Sequence, residues 1–396
     1  MKKLIVFIIT AVICISTAFG AFASTDGDVV NILEPQGLMD IADEFYDFPS
    51  EAGVTDVMDI AAKNLKVAKA YRFFFSEDTY DAYTDAYKEL RKSKSVEAAN
   101  VYMEAWQNLT QDKKFADCAW YLWEDDNMPM LDGEELTEED FKGAAVQDNI
   151  EYRPFVIKYL LDDPSAAKGD LLINAGGERA NENEGYPVAE MFNSLGYNCF
   201  VVCRRCLPYT YEDKAMDLQR AIRMVKYQAQ QEGWGGQDMI AAVGSSAGGI
   251  VILGITNVLY GYNTPNVFDT DYVPDEIDSI NCDLDAVVTV YFGGTEIEED
   301  EGVPDYAKPE FLYNEENPNW PATYLCSGDE DNYGAQGTAE KIYNQIKDTV
   351  PAELNIISGA GHGFGIGDEE IPETFNWPYE ADEFMQENLG HSTANN

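Results

Sequence analysis

The segment Gly244-Ser245-Ser246-Ala247-Gly248-Gly249 sets a serine inside a glycine-framed turn. Apolar Met239 to Val243 precedes it and Ile250-Val251-Ile252-Leu253 follows it. A serine between a strand and a helix must stand on a tight turn, and glycines at 244 and 248 keep neighbouring backbone from clashing there. Its hydroxyl is then exposed at the carboxyl edge of the strand. It also lies at a helix amino terminus, where the Ala247 amide can donate to a developing oxyanion. This is the equipment of nucleophilic acyl transfer, with Ser246 as candidate nucleophile. Ser245, away from the apex, is expected to be dispensable.

A serine alcohol needs a base, and the chain holds only two histidines. His391 lies in the polar tail 391–396, whereas His362 follows the strand-like Glu353 to Ser358 in the glycine-rich loop Gly359 to Gly365. His362 is therefore the candidate base. A carboxylate must orient it, and Asp329, Glu330 and Asp331 follow the strand-like Ala322 to Ser327. Their place between serine and histidine gives the chain order serine, acid, histidine. Asp329, Asp331, Gly334 and Glu340 also fall at the first, third, sixth and twelfth places of a calcium-loop pattern. Tyr333 and Gln336 break that pattern, and a strand precedes it where a helix is needed, so a metal is not expected. Further oxyanion donors are expected from Gly176 and Gly177, in the loop after the buried strand Leu171 to Asn174.

These loops need a scaffold. Tyr152 to Leu161, Leu171 to Asn174, Tyr197 to Cys203 and Met239 to Val243 read as strands, and Asp217 begins a helix with Leu218, Ala221, Ile222 and Val225 on one face. Alternating strands and helices imply an α/β fold, a mostly parallel doubly wound sheet with helices on both faces. Before it, Val54 to about Trp106 has helical periodicity, with Ser95 as an N-cap and Asp132 to Asp140 as an acidic connection. The expected organisation is a helical region over 24–147 and a catalytic domain over 148–390. The helical region is expected to cover part of the site's edge.

The basic start Met1-Lys2-Lys3, the apolar Leu4 to Ile15 and the small Ala21 and Ala23 read as a secretory signal peptide over 1–23, giving a released protein. With 72 acidic against 26 basic residues the net charge is −46, so nucleic acid and anionic membranes are poor partners. Cys203 and Cys206 form a lone CxxC without the histidines of a zinc site, and read as small apolar residues near a strand end.

The sequence resembles the carbohydrate acetyl-esterase and acetylxylan-esterase-like branch of the α/β-hydrolases. The likeness rests on Asn174 to Gly177, Glu184-Gly185-Tyr186-Pro187-Val188-Ala189, Asp217-Leu218-Gln219-Arg220-Ala221-Ile222-Arg223, the serine turn, Asp283-Leu284-Asp285-Ala286-Val287 and Gly361-His362-Gly363-Phe364. It spans about Asn149 to Leu389. The family commonly has histidine or proline where Asn174 stands and often histidine where Cys326 stands. In it the acid usually comes three residues after the turn glycine, which here implies Asp331. The resemblance implies a serine carboxylesterase acting on short acyl esters, acetyl groups on carbohydrate among them, with no cofactor. Two rival readings are a serine peptidase with a helical lid and a non-catalytic binding module. Activity on peptide amides would favour the first, and failure to react with a fluorophosphonate the second.

Overall fold

The computed structural model describes residues 44–49, 51–112, 118–124, 126–130, 136–137, 153–177, 184–206, 208–234, 239–257, 265–293 and 320–388. Residues 1–23, where a signal peptide is expected, most of the acidic connection and the polar tail lie outside them. Among the described residues no helix is long and apolar enough to cross a membrane.

Eight strands form one sheet. They are β1 (Ala119–Tyr121), β2 (Phe155–Tyr159), β3 (Asp170–Asn174), β4 (Asn198–Cys203), β5 (Ile240–Ser245), β6 (Ala286–Val290), β7 (Ala322–Gly328) and β8 (Ala352–Ile357). Their order is β1-β2-β4-β3-β5-β6-β7-β8. β1 and β2 pair antiparallel and β2 runs antiparallel to β4; every other neighbouring pair is parallel. The inner strands are apolar on both faces because both are covered. In β4, Cys199, Val201 and Cys203 enter one core while Phe200 and Val202 enter the other, the period of two a pleated strand imposes.

On one face lie α5 (Tyr211–Glu232), α6 (Ala247–Asn257) and α7 (Ala335–Ile346). The opposite face carries α4 (Tyr186–Ser194) and α8 (Trp377–Glu387), together with three amino-terminal helices. These are α1 (Val54–Ala70), α2 (Glu77–Ser93) and α3 (Val96–Gln111). Tyr83, Ala86 and Leu90 of α2 are buried against Ala98, Ala99, Tyr102 and Leu109 of α3. The Ser95 hydroxyl accepts from the Ala98 amide at 3.1 Å, the cap its sequence position predicts.

Two expectations are corrected. α5 starts at Tyr211, under a capping box between Thr210 and Asp213, and Asp217 lies buried inside it. The sheet's edge strand β1 falls before residue 148, on the side of the boundary assigned to helices. The segment between α1 and α2 packs on the sheet: Phe155 of β2 meets Tyr71 and Phe74 with ring centroids 5.8 and 5.1 Å apart.

α5 also carries an ionic cluster. Arg205, fully buried, pairs with Asp217 at 2.8 Å and Asp213 at 3.6 Å, and the Trp123 indole donates to Asp217 at 2.7 Å. Burial opposes the Arg205 charge, but Asp217 and then Asp213 outweigh it and raise its pKa further. Beside it Arg220 pairs with Asp275 at 2.5 Å and Asp278 at 3.2 Å.

Candidate active site

β3 and β5 are hydrogen-bonded neighbours, with Asn174 opposite Gly244, yet the chain leaves β3 towards β4 on one side and reaches β5 on the other. Two loops therefore diverge from adjacent strand ends and open a crevice between them, the place where open α/β sheets bind ligands. One loop is Ala175 to Gly177 and the other is the serine turn.

Ser246 has φ of 48°, a left-handed conformation rare for a residue with a side chain. Its neighbours force it. The Ser246 amide donates to the Val290 carbonyl of β6 at 3.0 Å, while α6 starts at the next residue. A Cβ on Gly248 would strike the Asn174 carbonyl oxygen, so only glycine lets α6 come this close to the end of β3. Strain of this kind persists where surrounding structure over-determines it, and here it lifts the hydroxyl into the crevice.

The Ser246 Oγ lies 2.9 Å from His362 Nε2, and His362 Nδ1 lies 2.8 Å from Asp331 Oδ2. The Asp331 side chain is fully buried and the imidazole is 19% exposed. The other Asp331 oxygen accepts from the Tyr333 amide at 2.8 Å, which fixes the carboxylate from both sides. Asp329 does different work: it accepts from the Gly359 amide at 2.5 Å and the Ser358 hydroxyl at 3.0 Å, bracing the start of the histidine loop. Glu330 is exposed. Glu340 accepts from Gln336 within α7, so the carboxylates of the calcium-loop pattern serve separate partners.

A cleft of about 420 Å³ opens over the serine, lined by Gly177, Glu184, Tyr211, Ser246, Ala247, Ile250, Gly293, Tyr333 and His362. None of these belongs to α1, α2 or α3, so among the described residues the amino-terminal helices do not line the site. The Tyr333 ring, 56% exposed, sits 4.6 Å from the imidazole.

Gly177 and Ala247 line the cleft together with Ser246, and Ala247 opens α6, whose first amides lack intrahelical acceptors. Gly176 does not fit its expected part. Its amide donates to Glu184 Oε2 at 2.7 Å and to Ser245 Oγ at 3.0 Å, so it is already committed to two side-chain acceptors of the protein. Sequence reasoning also passed over Tyr291. Its hydroxyl donates to Glu184 Oε1 at 3.1 Å, and its ring lies 5.1 Å from the His362 ring. The only sequence signal for Glu184 was its place in one of the segments carrying the family likeness.

The structure is similar to the acetyl ester-xyloside bifunctional hydrolase of Caldicellulosiruptor lactoaceticus, with a TM-score of 0.51 and 21% identity over 67% of this chain and 94% of that one. The chain has the α/β-hydrolase fold. A further similar structure is Thermogutta terrifontis esterase 2 phosphorylated by paraoxon, with a TM-score of 0.49 and 21% identity over 62% of this chain and 92% of that one. No protein-family model matches the sequence, and no curated protein does. Within the α/β-hydrolase fold, Ser246 follows β5, Asp331 follows β7 and His362 follows β8, all at the carboxyl edge of the sheet.

Proposed function

We propose that the protein is a secreted serine carboxylesterase that removes short acyl groups, acetyl groups on carbohydrate among them. The observation that carries the reading is the continuous Ser246, His362, Asp331 hydrogen-bond chain at 2.9 and 2.8 Å, opening on the cleft. Ser246 Oγ attacks the ester carbonyl carbon as its proton passes to His362 Nε2. Asp331 holds the Nδ1 proton and stabilises the imidazolium. The amides of Gly177 and Ala247 receive the oxyanion. Collapse of the tetrahedral intermediate expels the alcohol, which takes the proton from His362, and water then repeats the sequence on the acyl-enzyme. The residues need no cofactor or metal for these steps.

Ile250, Tyr211 and Tyr333 give the cleft apolar lining, in keeping with an acyl group. The similar bifunctional hydrolase acts, by its name, on acetyl esters and xylosides, which accords with the same class. Secretion rests on the amino-terminal segment, and the acidic composition makes nucleic acid and anionic membranes poor partners. The test is a panel of aryl esters of increasing acyl length, beside acetylated xylan and peptides. Turnover highest on acetate and propionate and falling with length supports the reading. Cleavage of peptides with no hydrolysis of short esters would replace it with a peptidase.

A further inference from the structure

The catalytic chain leaves unexplained a second set of buried polar groups beneath it. Glu184, 8% exposed, accepts from Gly176 N at 2.7 Å and Ser245 Oγ at 2.6 Å through one oxygen, and from the Tyr291 hydroxyl at 3.1 Å through the other. The Tyr291 oxygen in turn accepts from the Gly365 amide at 3.1 Å. One carboxylate thus links the loop after β3, the serine turn, the loop after β6 and the histidine loop. Burying a charge at a sheet edge is costly unless every lone pair finds a donor, and this one collects donors from three elements.

Two independent features show that the backbone is shaped around the link. Tyr291 has φ of 38°, the left-handed region that a bulky aromatic residue avoids, and this places its hydroxyl beneath Glu184 and its ring edge-on to His362 and Phe364. At Gly176 a Cβ would stand 2.6 Å from both Glu184 Oε2 and the Ser246 Cβ, so the loop runs against the carboxylate and the nucleophile together. From the other side Arg204 donates to the Ala175 and Gly177 carbonyls at 3.3 and 3.4 Å. With the Gly176 amide bonded to Glu184 and the flanking carbonyls drawn to Arg204, Gly177 is, among the described residues of this loop, the one that lines the cleft with its amide uncommitted to these partners.

We propose that Glu184 is a positioning residue: it holds Gly176 so that the Gly177 amide meets the oxyanion, and through Tyr291 it keeps the oxyanion loop in register with the histidine loop. The inference rests on the esterase reading above. Burial, and next the charge of Glu184, hold the Tyr291 phenol well above its usual pKa, so the hydroxyl stays a donor across the working range. Ser245 adds a bond to the same carboxylate, but its loss leaves the direct Gly176 to Glu184 bond in place.

The experiment compares wild type, Glu184→Gln, Tyr291→Phe and Ser245→Ala on p-nitrophenyl acetate, with active sites counted by a fluorophosphonate titration. An aryl trifluoromethyl ketone, whose adduct carries an oxyanion, is the second probe. Per titrated site, Glu184→Gln should lower kcat by about tenfold to a hundredfold with KM within about threefold, and weaken the ketone by a similar factor. Tyr291→Phe, which keeps the Gly176 bond, should lose about tenfold in kcat, and Ser245→Ala less than about threefold. A merely structural role would lower the number of titratable sites and the melting temperature while leaving kcat per site and ketone affinity unchanged, and that result overturns the proposal. So does a change confined to KM in both Glu184→Gln and Tyr291→Phe. A wild type inert on every ester would instead bring down the esterase reading, and the proposal with it.

Discussion

Two groups of charged residues lie near the carboxyl edge of this sheet, and they differ in where their polar atoms point. In the ionic cluster of α5, Arg205, Asp213, Asp217 and Trp123 converge on one another, and Arg205 and Asp217 lie entirely out of water. In the group at the serine turn, Asp331 is equally buried, but the chain it begins runs outward through a partly exposed imidazole to a serine that lines the cleft. Closed networks of the first kind stabilise without doing chemistry. The open one presents a reactive atom to whatever enters. Burial and ion pairing alone therefore do not separate a site from a strut; direction does.

The largest effect is expected at Asp331. Asp331→Asn removes the charge that fixes the imidazole tautomer, and should lower kcat on an aryl acetate by up to about four orders of magnitude with little loss of stability. Asp329→Asn, two residues away, should lose less than about tenfold, because among the described residues its carboxylate bonds to the Gly359 amide and the Ser358 hydroxyl and not to the imidazole. Steady-state kinetics on the pair decides it, and the reverse order would move the acid to Asp329.

In the closed cluster the opposite pattern is expected. Asp217→Asn strips Arg205 of its principal partner and leaves a buried charge poorly compensated, which should cost about 3–5 kcal/mol of unfolding free energy. Activity per folded molecule should stay within about threefold of wild type. Urea unfolding followed by fluorescence, with activity measured well below the transition, separates the two quantities. A variant as stable as wild type would show that the cluster is not a strut.

The smallest effect belongs to the amino-terminal helices, none of whose described residues lines the cleft. Ser95→Ala loses the cap on α3 and should cost about 1 kcal/mol, with no change in kcat or KM. A shift in acyl-chain preference in this variant would bring those helices back into the site.

What could be read in the sequence follows from how local each signal was. Ser246 was legible because a glycine-framed turn between an apolar strand and an apolar helix has few other uses, and His362 because it had one competitor, in the tail. The acid was confined to three neighbours but not separated by the residues alone. Burial of Asp331 depends on the His362 loop and on the Tyr333 amide, which are set by tertiary packing. Gly176 was misjudged for the same reason: its amide faces Glu184, a side chain no spacing rule attaches to it. The early start of α5 was written locally in the Thr210 and Asp213 capping box, but Tyr211 to Met216 carry little apolar periodicity, so the helix was placed at Asp217. β1, three residues long, is too short for any alternation to show.

The most direct test of the central claim is to locate the nucleophile. The protein is treated with a fluorophosphonate, digested and mapped by mass spectrometry, alongside p-nitrophenyl acetate hydrolysis by wild type and Ser246→Ala. The adduct should fall on Ser246 alone, and Ser246→Ala should lose about four to six orders of magnitude in kcat and take no label. An adduct on Ser245, or a Ser246→Ala variant that still turns over the ester near the wild-type rate, would contradict the account.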